Sequence, residues 1–343
     1  MSDLDLYITN DLPDRFLDCH ATQLTEILPG PTLVHLEGQR KQPLFISILL
    51  HGNETVGLSA MQNILKYYYD RELPRSISLF IGNVEAAAQG MRMLDNQLDY
   101  NRVWPSERIH GDSPEHQLMQ NVLAEIKARN PFISMDLHNN TGLNPHYACI
   151  NKLDNSFFHL ATLFSRTVVY FLRPYGVQSM ALAKICPSVT LECGRIDDGT
   201  GVSHATEFIE ACLHLDHLPE QPIHTDDMHL FHTVATVKIP HDTTFSFGDT
   251  PADIRLKEDI EYYNFRELPA GTTLGYYDLK KQPSLEIIDE SGNRNDQRFV
   301  QYNDGEIQLA TLVMPSMLTL DKKIIEQDCL CYFMERFPVP VPG

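Results

Sequence analysis

His51 and Glu54 stand three residues apart in His51-Gly52-Asn53-Glu54, directly after the apolar run Leu44-Phe45-Ile46-Ser47-Ile48-Leu49-Leu50. An unbroken apolar run of this length bounded by polar residues reads as a buried strand. After the tetrapeptide, Val56, Leu58, Met61, Ile64 and Leu65 recur at helical spacing. His51 and Glu54 therefore fall on a strand-to-helix turn, where both side chains can face one point above the sheet edge. A second histidine, His138, closes the run Pro131-Phe132-Ile133-Ser134-Met135-Asp136-Leu137. Asp136 and His138 are two apart on extended chain and share a face. Each motif alone is as compatible with a solvated turn or a core histidine. Together they predict one zinc ion per chain, held by His51, Glu54 and His138, with the fourth position left to water.

The elements needed to carry these residues are legible around them. Strands are expected at Thr32 to Leu36, Leu44 to Leu50, Ser76 to Ile81, Phe132 to Leu137, His146 to Ile150, Thr167 to Phe171 and Ser188 to Glu192. Helices are expected at Thr55 to Tyr69, Pro114 to Ala128, Ser156 to Ser165 and Ser203 to Leu215. Such alternation indicates an α/β domain with a central mixed sheet flanked by helices. Catalytic groups in these sheets come from the carboxyl ends of strands, where His51, His138 and Glu192 fall. The polar stretch from His217 to Asp227 carries two prolines and no period, and reads as a linker. We expect a catalytic domain at 1–220 and a smaller β-rich domain at 221–343, with a loose proline-rich tail from Pro338.

His51-Gly52-Asn53-Glu54, Asp99-Tyr100-Asn101-Arg102, Asp136-Leu137-His138-Asn139 and Thr190-Leu191-Glu192-Cys193-Gly194 occur in this order. In these four motifs the chain resembles the succinylglutamate desuccinylase/aspartoacylase family, zinc deacylases built on a zinc-carboxypeptidase-like fold. The resemblance spans Leu44 to Gly194 and implies a role for each matched residue. Glu192 would be the general base that deprotonates water, a role that needs hydrogen-bond reach and partial burial. Arg92 would polarise the scissile carbonyl and stabilise the oxyanion. Asn101 and Arg102 would clamp the substrate's amino-acid carboxylate, with Asn139 also binding substrate, and Asp99 would hold the second nitrogen of a zinc histidine. Both named activities also imply an arginine about ten residues before the base. The segment Ser179 to Cys186 has none, only Lys184, so an uncharged acyl group is expected.

Composition sets the outer limits. The net charge of −19 over 343 residues argues against nucleic acid as a partner. Seven scattered cysteines suit buried thiols in a reducing compartment. The acidic start resembles no signal peptide, and no apolar stretch approaches the roughly twenty residues that span a bilayer. The expectation is a cytoplasmic zinc amidohydrolase acting on a small N-acyl amino acid, away from membranes, with a homo-oligomer left open. Two alternatives share the motifs: a metallocarboxypeptidase acting on small peptides, and a non-catalytic binding protein with a structural zinc. A free carboxylate beside the metal argues against the second.

Overall fold

The computed structural model describes residues 4–196 and 198–339; most of the proline-rich tail, from Pro340, lies outside them. The main sheet begins with β1 (Tyr7–Thr9), β2 (Thr32–Leu36), β3 (Gly38–Ile48) and β4 (Leu73–Ile81). It continues with β5 (Ile133–Asn140), β6 (Tyr147–Ile150), β7 (Thr167–Tyr170), β8 (Ser188–Arg195) and β9 (His229–Lys238). Their spatial order is β1-β2-β4-β3-β5-β8-β6-β7-β9, followed by Cys331–Arg336 and Met314–Ser316, with Glu286–Asp289 also paired to β9. The β4-β3-β5-β8 centre is parallel, whereas β2 joins β4 and β6 joins β8 antiparallel, so the sheet is mixed.

Helices cover both faces. They are α1 (Val56–Tyr67), α2 (Val84–Ala88), α3 (Pro114–Ala128), α4 (Asn155–Phe164), α5 (Gln178–Leu182) and α6 (Gly199–His214). One core packs α1, α4 and α6 residues such as Met61, Phe158 and Phe208 on the sheet. The other packs Leu118, Met119 and Val122 of α3 with Phe45, Phe80 and Trp104. Every residue of β4 is buried, as expected of a central strand covered on both sides. Helix α3 starts where its sequence signals place it, with Pro114 in the first turn and the Ser113 hydroxyl accepting from His116 N–H. Helix α6 starts four residues earlier than its apolar period suggests, because the Asp198 carboxylate caps Thr200 N–H at 3.0 Å.

The C-terminal part is β-rich. It supplies a separate sheet ordered 245–247, 254–256, 273–277, 306–309, 300–303, with its own buried cluster around Ile287, Phe299 and Phe333. It also lengthens the main sheet, since β9 runs parallel to β7 and Cys331–Arg336 pairs antiparallel with β9. That final strand escapes a reading by period, being short and followed by prolines. All seven cysteines are buried and unpaired. No helix among the described residues is long and apolar enough to cross a membrane.

Candidate active site

The site forms where β3, β5 and β8 end side by side. At the end of β3 the chain turns sharply: Leu49 takes a positive φ of 56°, fixed by Asn83 N–H donating to its carbonyl at 2.7 Å. Gly52 follows with no room for a side chain, since a Cβ there would lie 2.2 Å from the Ala87 nitrogen. The turn thereby brings His51 and Glu54 back over the sheet. Across the sheet, β5 and β8 pair so that His138 lies opposite Glu192.

His51, Glu54 and His138 are all buried, and one ligand atom from each lies within 4.8 Å of the others. Glu54 faces both rings: Oε1 is 2.8 Å from His51 Nδ1 and Oε2 is 2.7 Å from His138 Nδ1. The opposite ring nitrogens face other carboxylates, His51 Nε2 to Asp99 at 3.0 Å and His138 Nε2 to Asp136 at 2.7 Å. Ser47 Oγ donates to the other Asp136 oxygen at 2.6 Å and fixes that carboxylate in turn. A neutral imidazole has one N–H, and if it goes to Asp99 or Asp136 the Nδ1 lone pairs remain aimed beside Glu54. Two imidazole lone pairs and one carboxylate make a donor set that fits a divalent cation of borderline softness. Burial alone would raise the Glu54 carboxyl, but the two imidazoles hold it below its usual range. Likewise burial would lower His138, yet Asp136 and Glu54 push it well above. The cluster is electron-rich, and beyond the Arg92 guanidinium beside Asp99 and Glu54 it is compensated through protons or a cation.

Glu192 differs from every other carboxylate here. It is buried, and its Oε2 has no hydrogen-bond partner among the described residues. Burial is the main cause of its carboxyl rising from 4.5 to about 7, with His138 opposing and Glu54 adding to the rise.

The remaining expected residues separate into those turned to the cleft and those used by the fold. Arg92 is buried, donates to Asp99 at 2.9 Å and lies 3.6 Å from Glu54, while its Nε–H is without a partner. Asp99 holds His51 as the resemblance implies, and also accepts from Asn101 N–H at 2.7 Å. Asn101 lines the cleft beside Arg102, and its side chain is also bonded within the fold. Its Nδ2 donates to Asp136 at 3.3 Å and its Oδ1 accepts from Gln178 N–H at 2.9 Å, which ties the Asp99 loop to α5. Asn139 also lines the cleft, while its Oδ1 caps Val56 N–H at the start of α1 and its Nδ2 donates to the Gly194 carbonyl. Arg102 faces Asp328, with Nη2 2.9 Å from both carboxylate oxygens. Lys184 points elsewhere, paired with Glu107 at 3.1 Å on an exposed side chain.

All of this opens into a cleft of about 1070 Å³. Its outer wall is apolar, with Val169, Phe171, Val177, Ile196, Met317 and Ile324. Arg173, Asp328 and Tyr332 also line it, and none was singled out by sequence reasoning. Arg173 could have been found, since it follows the carboxyl end of β7, the usual position for functional groups in such sheets. Asp328 carries no local signal.

Residues 41–207 match the family described as the succinylglutamate desuccinylase/aspartoacylase catalytic domain. Among solved structures the chain is similar to a succinylglutamate desuccinylase/aspartoacylase from Rhodobacter sphaeroides, at 14% identity over 89% of each chain with a TM-score of 0.57. It is also similar to the succinylglutamate desuccinylase from Chromobacterium violaceum, at 17% identity over 91% of this chain and 89% of that one, TM-score 0.54. Murine aminoacylase 3 aligns at 14% identity over 87% of this chain and 96% of its own, TM-score 0.53. At such identities the structural likeness is one of fold. No curated protein sequence matches the chain.

Proposed function

Because residues 41–207 belong to the succinylglutamate desuccinylase/aspartoacylase family, whose members are deacylases, we propose that this protein is a zinc-dependent amidohydrolase of the N-acyl amino acid class. The observation that carries the reading is Glu192, a buried carboxylate with a free oxygen, set across the sheet from His138. Nothing in the fold uses that oxygen, and keeping a carboxylate buried without a partner costs several kcal/mol in practice. A purely structural metal site has no use for it.

His51, Glu54 and His138 would hold the cation, which when bound supplies Lewis acidity for a carbonyl and lowers the pKa of water toward about 7. The chain's own residues do the rest. Asp99 and Asp136 fix the ring orientation of the two histidines and raise their basicity. Glu192 accepts a proton from the attacking water and returns it to the departing amine, a general base and then a general acid. Arg92 places a guanidinium, with a free Nε–H, near the negative charge that develops on the carbonyl oxygen. The apolar wall takes the acyl group and excludes water. Residues 221–343 act as an accessory unit in this proposal, since Met317, Ile324, Asp328 and Tyr332 reach the cleft and narrow it against long peptides.

The test is an activity screen of the zinc-loaded protein on N-acetyl, N-formyl and N-succinyl amino acids beside short peptides. Glu192→Gln should retain the metal and the fold while turnover falls by roughly 10²- to 10⁴-fold. A folded, zinc-loaded variant with near wild-type turnover would remove Glu192 from the reaction. Faster cleavage of peptides than of N-acyl amino acids would favour the carboxypeptidase reading.

A further inference from the structure

The cation best placed to receive a substrate carboxylate is already occupied from within the chain. Asp328 lies between the helix Lys322–Gln327 and the strand Cys331–Arg336, 226 residues from Arg102. Arg102 Nη2 donates to both of its oxygens, each at 2.9 Å, and Arg92 Nη2 stands 3.4 Å from one of them. The other terminal nitrogen of Arg102, Nη1, donates to the Asn101 carbonyl at 2.9 Å. Arg92 is itself held by Asp99. Two guanidiniums thus meet two carboxylates, and this wall of the cleft carries no surplus positive charge. Asn101, the other half of the expected clamp, is turned into the protein by Asp136 and Gln178. Asp328 is partly exposed, at 23% of its side chain, and it lines the cleft.

We propose that Asp328 is a specificity-determining residue that turns the amine side of the cleft away from free carboxylates and toward compounds whose corresponding group is uncharged. An N-acyl amino acid amide is the simplest of these. The chemistry of the reaction rests on the hydrolase reading; the binding preference does not. A substrate carboxylate that takes the Nη2 edge of Arg102 must part it from Asp328, and one that takes its other N–H groups comes to lie beside Asp328, so two carboxylates compete for one guanidinium in a partly buried place. An amide in the same position leaves the ion pair intact and donates an N–H to a remaining lone pair of Asp328. Asp328 therefore acts both by occupying the attractive group and by repelling the anion.

The experiment uses the zinc-loaded full chain and two matched probes, N-acetyl-leucine and N-acetyl-leucinamide, which differ only in the group under test. Calorimetric affinities are measured for wild type, Asp328→Asn and Asp328→Ser. Wild type should favour the amide by at least roughly tenfold, about 1.4 kcal/mol. The free acid should gain at least roughly tenfold relative to the amide in either variant, because Arg102 is released and the amide loses its acceptor on Asp328. Two variants guard against one that does not fold, and the wild-type ratio requires neither. The proposal is overturned if wild type binds the acid as tightly as the amide, if both variants keep the wild-type ratio, or if neither probe binds any of the proteins. Turnover of the same probes separates the two readings. Selective binding without hydrolysis would retain Asp328's role and sink the amidohydrolase.

Discussion

Glu192 and the histidine pair meet opposite requirements within one small volume. Each histidine has carboxylates at both ring nitrogens, so its charge state is tied to its partners, whereas Glu192 is left with burial as its dominant influence. A base must be ionised to act. With its carboxyl raised from 4.5 to about 7, Glu192 is protonated below that range and ionised above it. Activity should therefore rise with pH and level off once the carboxylate has formed. A cation at His51, Glu54 and His138 draws the midpoint downward by favouring the charged form. The expected profile of kcat/KM has an acid limb centred between 4.5 and about 7, and this limb is missing in Glu192→Gln. A wild-type profile flat across that interval would assign the base elsewhere.

At the scale of elements, the start of α1 is the joint on which the site depends. Thr55, its N-cap residue, makes no side-chain cap, and Asn139 from the end of β5 supplies the acceptor instead. The same side chain reaches Gly194 on β8, while Asn139 N–H donates to Glu54 at 3.2 Å. One amide group thus locks a helix start to two strand ends, and holds Glu54 and His138 in register with Glu192. Asn139→Ala removes two buried hydrogen bonds, one of them the cap, a loss of about 1–3 kcal/mol. Urea unfolding of the metal-free protein should show a lower midpoint with an unchanged slope. If the midpoint does not move, water has replaced the amide and the joint is not where stability resides.

The whole molecule sets what the cleft can attract. The chain carries a net charge of −19, and Glu54, Glu192 and Asp328 line the cleft itself. Arg92, Arg102 and Arg173 line it too, but the first two are paired with Asp99 and Asp328, so a carboxylate on the acyl group meets this field with little free positive charge to offset it. Lys184 is turned away to Glu107, and Arg173 donates through Nε and Nη2 to the carbonyls of Glu290 and Ser291. In the proposed reading the acyl group lies on the apolar wall of the cleft, where a dicarboxylic acyl group would lose hydration without gaining a partner. We expect kcat/KM for an N-acetyl amino acid to exceed that for its N-succinyl counterpart by about tenfold or more, under matched zinc loading. A clear lead for the succinyl compound would contradict this and give Arg173 the part of the absent arginine. Loss of that lead in Arg173→Ala would then identify it.

How much of this was written in the sequence divides along a physical line. The apolar runs that become β3, β5 and β8 are local, and so is the polar residue that ends each of them. His51, Glu54, His138 and Glu192 could thus be placed at one sheet edge before any coordinates. Alternation of strands and helices determined the α/β class, because covering a sheet on both faces imposes that pattern on the chain. The tertiary structure alone decided what meets the ends of side chains. Asn101 and Asn139 sit in the motifs as substrate ligands would, yet their amides are turned to Gln178, Asp136, Val56 and Gly194. Asp328 finds Arg102 across 226 residues, joined through strands of the C-terminal part that extend the main sheet past β9. No period or spacing encodes such a pairing. It arises when two segments, each folded by its own apolar face, come together and bring buried charges within reach, where each must find a partner.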